Sequence, residues 1–149
     1  MELRLIMHAA VAIGLGLLVG LQREWSRSHA RTGGLRSFAL ITLLGMLCGE
    51  IANNSQSDWV IAAGLLAVVA LFWRGRLRAA NGSDPDRSGI TTDIAALVMF
   101  AVGIMIAFEH APLAIVTTGF VAILLQWKQP LHQIIERMGE DDLRAVVRL

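Results

Sequence analysis

Five apolar runs dominate the chain, and each is hydrophobic on every side. They are Leu5–Leu21, Ser37–Ala52, Trp59–Trp73, Ile94–Phe108 and Ala111–Trp127, each 15–17 residues long. A helix of a soluble bundle keeps a polar stripe at the helical period, and none of these runs has one. Strands are shorter and alternate β-branched with polar residues, which these runs do not. About 20 residues cross a bilayer core. Weakly polar neighbours extend two of the runs toward that length, Gly33–Leu35 before the second and Gly89–Thr92 before the fourth. Glu50 breaks the second run near its end. The expected fold class is all-α, an integral membrane bundle of about five transmembrane helices.

Composition agrees with that reading. Of 149 residues, 55% are hydrophobic and 17% charged, and the mean hydropathy is +0.59. Soluble domains carry about a quarter charged residues. The length is that of one domain. A net charge of +1 gives no overall attraction to nucleic acid.

The charges cluster between the runs, and their arrangement sets an orientation. With the N-terminus outside, the inner segments are Gln22–Arg36, Arg74–Asp93 and Lys128–Leu149. These hold twelve of the thirteen Lys and Arg residues and leave only Arg4 outside. The outer loops, Glu50–Asp58 and Glu109–Pro112, carry acids and neither Lys nor Arg. Short inner loops rich in Lys and Arg are the usual mark of topology. The expected arrangement is N-terminus out and C-terminus in. All four tryptophans (Trp25, Trp59, Trp73 and Trp127) fall at or just past a run's end, where indole rings favour the membrane–water boundary.

Met1–Leu21 has a weakly charged start (Glu2, Arg4) and no small-x-small cleavage pattern before Gln22. It reads as a retained membrane helix rather than a signal peptide. Cys48 is the only cysteine, so no internal disulfide and no cysteine-based zinc site is available. Gly16 and Gly20, and likewise Gly45 and Gly49, have the G-x-x-x-G spacing that lets membrane helices approach closely. The first two helices are expected to pack through these faces.

The transmembrane domain is expected over residues 1–129. Residues 130–149 form a tail that Pro130 can open as a helix, with Leu131, Ile134, Ile135 and Met138 on one face. It reads either as an interfacial amphipathic helix or as a solvated cytoplasmic helix against the bundle. The segment RGRLRAANGSDPDRSG reads as a flexible inner turn.

Chemistry-bearing motifs are sparse. There is no P-loop, G-x-S-x-G or H-E-x-x-H, and no pair among His8, His29, His110 and His132 has ligand spacing. No catalytic residue is assigned, no cofactor is expected, and no metal ligand can be named. The polar residues at one membrane level are more informative. Arg23 and Glu24 close the first helix, Arg36 opens the second and Asp93 opens the fourth. Charges near a bilayer pair with one another or line a polar cavity. Two readings stand for Asp93: a first-turn acid favoured by the helix dipole, or a member of a network or ion site with Arg23, Glu24 and Arg36.

At these residues a resemblance emerges. IGLGLLVGLQREW followed by TGGLRSFALITLLGML resembles the MgtC/SapB family of bacterial inner-membrane proteins. That family ends its first helix with a G-x-x-x-G-x-E-R-type pattern and opens its second with G-[LI]-R-[ST]. GITTDIAALVMFAVGIMI is similar to the fourth helix of longer relatives that carry a second membrane domain, and LHQIIERMGEDDLRAVVRL resembles their linker. The matching positions are Gly20, Arg23, Gly34, Arg36, Thr91, Thr92 and Asp93. Gln22 stands where many relatives have Glu, so a carboxylate role there is replaced or shifts to Glu24. The resemblance implies a multi-pass protein of the bacterial inner membrane with a part in magnesium or ion homeostasis.

Two roles follow. One is a non-enzymatic accessory or regulatory protein acting through helix contacts, either as a homo-oligomer or with a second membrane chain that supplies the missing domain. The other is a pore- or carrier-forming subunit for an ion or small solute. An enzyme is not expected, because these residues assemble no nucleophile–base pair.

Overall fold

The computed structural model describes residues 2–25, 33–80 and 90–125, and their side chains except those at 23–25, 33–34, 76, 78–80 and 90. The described residues form five helices: α1 Glu2–Trp25, α2 Gly33–Ser55, α3 Trp59–Ala80, α4 Ile90–Ala107 and α5 Ala111–Leu125. No strand occurs among them. In α1 and α2, 21-residue apolar stretches are long enough to cross a membrane. The tail at residues 130–149 lies outside the described residues.

Two helices outrun the boundaries read from the sequence. Glu50 does not end α2, which continues to Ser55, because the carboxylate finds a partner on α1. α3 continues past Trp73 to Ala80, so the expected turn from Arg74 is helical at its start. Arg, Leu and Ala are strong helix formers, and no breaker stands between Arg74 and Ala80 except Gly75.

The corners explain how the chain reverses within so few residues. After α4, the His110 N–H donates to the Met105 carbonyl at 2.9 Å and the Glu109 N–H to the Ile106 carbonyl at 3.0 Å. This is a Schellman-type closure, which places one residue in the left-handed region. That residue is Glu109, with φ 64°. At the end of α2, the Ser57 N–H reaches the Ala52 carbonyl and Gln56 adopts φ 50°. The Asp58 carbonyl then accepts from the Ile61 and Ala62 N–H groups in the first turn of α3. Pro112 sits in the first turn of α5, where its missing N–H costs nothing.

α2 is the central helix, contacting α1, α3 and α4, whereas α1 and α3 do not touch. A Cβ on Gly16 would meet the backbone of Phe38 and Ala39, and one on Gly20 would meet Leu35. The chain numbers run in opposite senses, so α1 and α2 are antiparallel. Gly45 and Gly49 turn elsewhere. Gly45 lies against the Phe100 backbone, and Gly49 against Ile104 and Ala107, so α2 and α4 are parallel. The expected glycine-to-glycine packing of α1 on α2 is therefore corrected. The α1 pair faces Leu35, Phe38 and Ala39, while the α2 pair serves a second interface with α4. Gly103 on α4 completes that interface, seated against Thr42 and Met46.

Two apolar clusters result. One joins Ala12, Val19, Phe38, Met46, Met99, Val102, Ile106, Ala114 and Val121 across α1, α2, α4 and α5. The other joins Cys48, Val68 and Phe100 across α2, α3 and α4.

Candidate functional site

The alternation of helices gives the bundle two polar ends. One end gathers the start of α2, the start of α4 and the close of α1, and so collects Arg36, Asp93 and the backbone of Arg23 and Glu24. The other gathers Arg4, His8, Glu50, Asp58 and Glu109, and is richer in carboxylates.

At the arginine end, Asp93 lies in the first turn of α4 and is buried, with 8% of its surface exposed. Arg36 on α2 is exposed. Gly45 faces Phe100, so the parallel register sets Asp93 level with Phe38, about half a turn from Arg36. The antiparallel register of α1 puts Arg23 and Glu24 roughly 9 Å farther along the axis, and their side chains lie outside the described residues. The fold thus brings Arg36 and Asp93 to one level, with Arg23 and Glu24 a turn or more beyond. Asp93, Gln22, Ser37 and Phe38 each make at least one hydrogen bond, ion pair, ring or electrostatic contact of their own. The α4 dipole favours a carboxylate in its first turn by about 0.3–1 kcal/mol. A buried charge demands more than that, namely a partner.

The opposite end holds contacts that reading the sequence missed. The His8 imidazole donates through Nδ1 to Glu50 Oε1 at 2.8 Å, and these side chains are only 17% and 13% exposed. One turn earlier on α1, the Arg4 guanidinium donates to Glu109 Oε1 at 2.7 Å. Successive turns of α1 are thereby tied to α2 and to the α4–α5 corner. A signal was present, because His8 and Glu50 both sit inside apolar runs at the same level. His110 is exposed, and His29 and His132 lie outside the described residues. Among the described residues no group of three or more His, Cys, Asp or Glu side chains could hold a metal ion.

The Arg4–Glu109 side chains are 49% and 63% exposed, so water and salt screen them. Arg4→Ala is expected to cost no more than about 1 kcal/mol. Glu109→Gly loses the same ion pair but relieves a left-handed backbone that costs a non-glycine residue about 1–2 kcal/mol. Its melting temperature should equal or exceed that of Arg4→Ala, which thermal unfolding in detergent would check.

Among the described residues the middle of the bundle holds few polar side chains, namely Thr42, Cys48, Thr117 and Thr118. Thr42 donates to the Phe38 carbonyl at 2.9 Å, and Thr118 to the Ala114 carbonyl at 2.7 Å. Both hydroxyls are buried and are satisfied within their own helices.

Outside, the picture is inverted relative to a soluble fold. Leu3, Ile6, Leu18, Leu66, Leu71, Val116, Phe120 and Leu124 are among many large apolar side chains left exposed. Only 22% of the apolar stretch of α1 is buried within the bundle. Soluble monomers do not expose contiguous apolar area on this scale. A helical bundle with an apolar outside and charges at its ends is a membrane protein. More particularly, residues 9–134 match the MgtC family, and the chain belongs to it. That family is one of membrane proteins linked to magnesium and ion homeostasis. No curated protein and no solved structure matches the chain.

Proposed function

We propose that the chain is a non-enzymatic, multi-pass protein of the bacterial inner membrane. It lies with its N-terminus outside and its arginine end in the cytoplasm, and serves ion homeostasis as an accessory or regulatory subunit. It acts through helix contacts, with a second membrane chain or with copies of itself. The observation that carries this reading is the state of the mid-membrane hydroxyls. A carrier places polar groups and broken helices at its centre to replace a solute's hydration. Here Thr42 and Thr118 are buried, bond back to carbonyls of their own helices, and sit in helices that run unbroken through the middle of the bundle. The family match supports the link to magnesium. The clustering of Lys and Arg between the runs supports the orientation.

Native mass spectrometry of the complex purified from its own membranes tests the role. A mixed complex with another membrane chain, or a homo-oligomer that passes no ions in liposomes, is expected. A symmetric homo-oligomer that conducts ions in liposomes would replace this reading with that of a pore or carrier.

Within the accessory reading, Asp93 belongs to a network that closes the arginine end. Asp93→Asn keeps the shape and removes the charge. The isolated fold should lose more than the roughly 1 kcal/mol of a first-turn contact with the helix dipole, and recovery of the complex should fall severalfold. Unchanged recovery would leave Asp93 a cap and no more.

A further inference from the structure

We propose that the α3 side of the bundle seats a hydrocarbon layer only about 21 Å thick, so that the lipid touching α3 is thinner than the roughly 30 Å core of an average bilayer. This rests on the reading above that the helices span a membrane, and it adds the kind of bilayer they fit.

Trp59 and Trp73 are 83% and 66% exposed and lie on one helix. Fourteen residues separate them. At 3.6 residues per turn they fall within about 40° of one face, and at 1.5 Å per residue they stand about 21 Å apart. Leu66, midway between them, is 68% exposed on the same face. Leu65, Val69 and Leu71 are exposed too, and no charged residue interrupts the span. Indole rings seek the boundary between hydrocarbon and headgroup, so two outward rings mark both boundaries. The charges agree, with exposed Asp58 directly before Trp59 and exposed Arg74 directly after Trp73.

On α1 the exposed apolar side chains with no charge between them run from Leu5 to Leu21, about 24 Å along the axis. Tilting α3 would shorten its span further, so tilt cannot recover the missing thickness. A bilayer meets a short span by thinning, or short-span proteins gather in thin membrane, at a modest cost for each ångström.

The test uses the full chain carrying Trp25→Phe and Trp127→Phe, so that only Trp59 and Trp73 fluoresce. It is reconstituted in phosphatidylcholine vesicles with dimyristoleoyl, dioleoyl or dierucoyl chains. Thermal unfolding and quenching by mid-chain brominated lipid are read in each. The melting temperature should be highest in dimyristoleoyl vesicles and fall by several degrees at each longer chain. Quenching by mid-chain bromine should be weakest in the vesicles that stabilise best. Adding Arg74→Leu lengthens the apolar span and should move the optimum toward dioleoyl chains. An optimum at dioleoyl or dierucoyl chains without that substitution overturns the thin layer and leaves the membrane-spanning reading intact. No quenching in any vesicle overturns both.

Discussion

Gly103→Ala is expected to destabilise the bundle by about 2 kcal/mol or more, although alanine is the better helix former by about 1 kcal/mol. The sign is set by what the added methyl meets. At position 103 it would lie 2.6 Å from the Met46 amide nitrogen and closer still to the Thr42 carbonyl oxygen. At position 45 it would strike the Phe100 carbonyl. These are backbone atoms, which no rotamer change can move aside. Overpacking a core costs about 1–3 kcal/mol even where side chains can shift. Here α2 and α4 must separate, which loosens Met46, Met99, Val102 and Ile106, all essentially buried. In lipid no hydrophobic force draws the helices back, because the tails are as apolar as the side chains. Gly14→Ala is the control. Nothing lies within 4 Å of its added methyl, so it should be neutral or gain up to about 1 kcal/mol. Thermal unfolding in detergent compares the three proteins. Equal melting of Gly103→Ala and the parent would refute the close crossing.

Much of the fold was legible because its signal is collective. Five uniformly apolar runs became five helices, since a run without a polar stripe leaves few alternatives. What could not be read was pairing. Gly45 and Gly49 have a spacing that declares a packing face but not its partner, and the partner is α4. There Gly103 and Ala107 repeat the same small-residue spacing, a signal present in AVGIMIA. Loop ends were misjudged wherever a polar residue was taken as a helix stop. Glu50 is tolerated inside α2 because His8 faces it, a contact that exists only once α1 lies against α2. The arginine-end residues divided similarly. Helix order alone brings Arg36 and Asp93 to one end, whereas the depth of Asp93 depends on the register of α4 beside α2.

The second large effect lies in that polar contact near the carboxylate end. His8→Leu is expected to cost about 2–3 kcal/mol, toward the lower side of what breaking a buried pair costs. The reason is the carboxylate left behind. The Glu50 side chain is 13% exposed, so water reaches it poorly and lipid does not solvate it at all. Glu50→Leu removes the charge instead and strands only an imidazole, so it should cost less, about 1 kcal/mol. The double variant with leucine at both positions leaves neither group stranded. Buried pairs replaced by apolar residues of similar volume are often neutral or stabilising. Its stability should therefore lie near that of Glu50→Leu, far above the sum of the single losses. The coupling read from this cycle should be about 1–3 kcal/mol, the range for side chains in direct contact. Additive losses would mean that the two groups do not meet, and that Glu50 is held inside α2 by something other than His8. Full coupling would make the contact the reason α2 continues past Glu50. It would also fix the level at which the bundle's apolar interior ends.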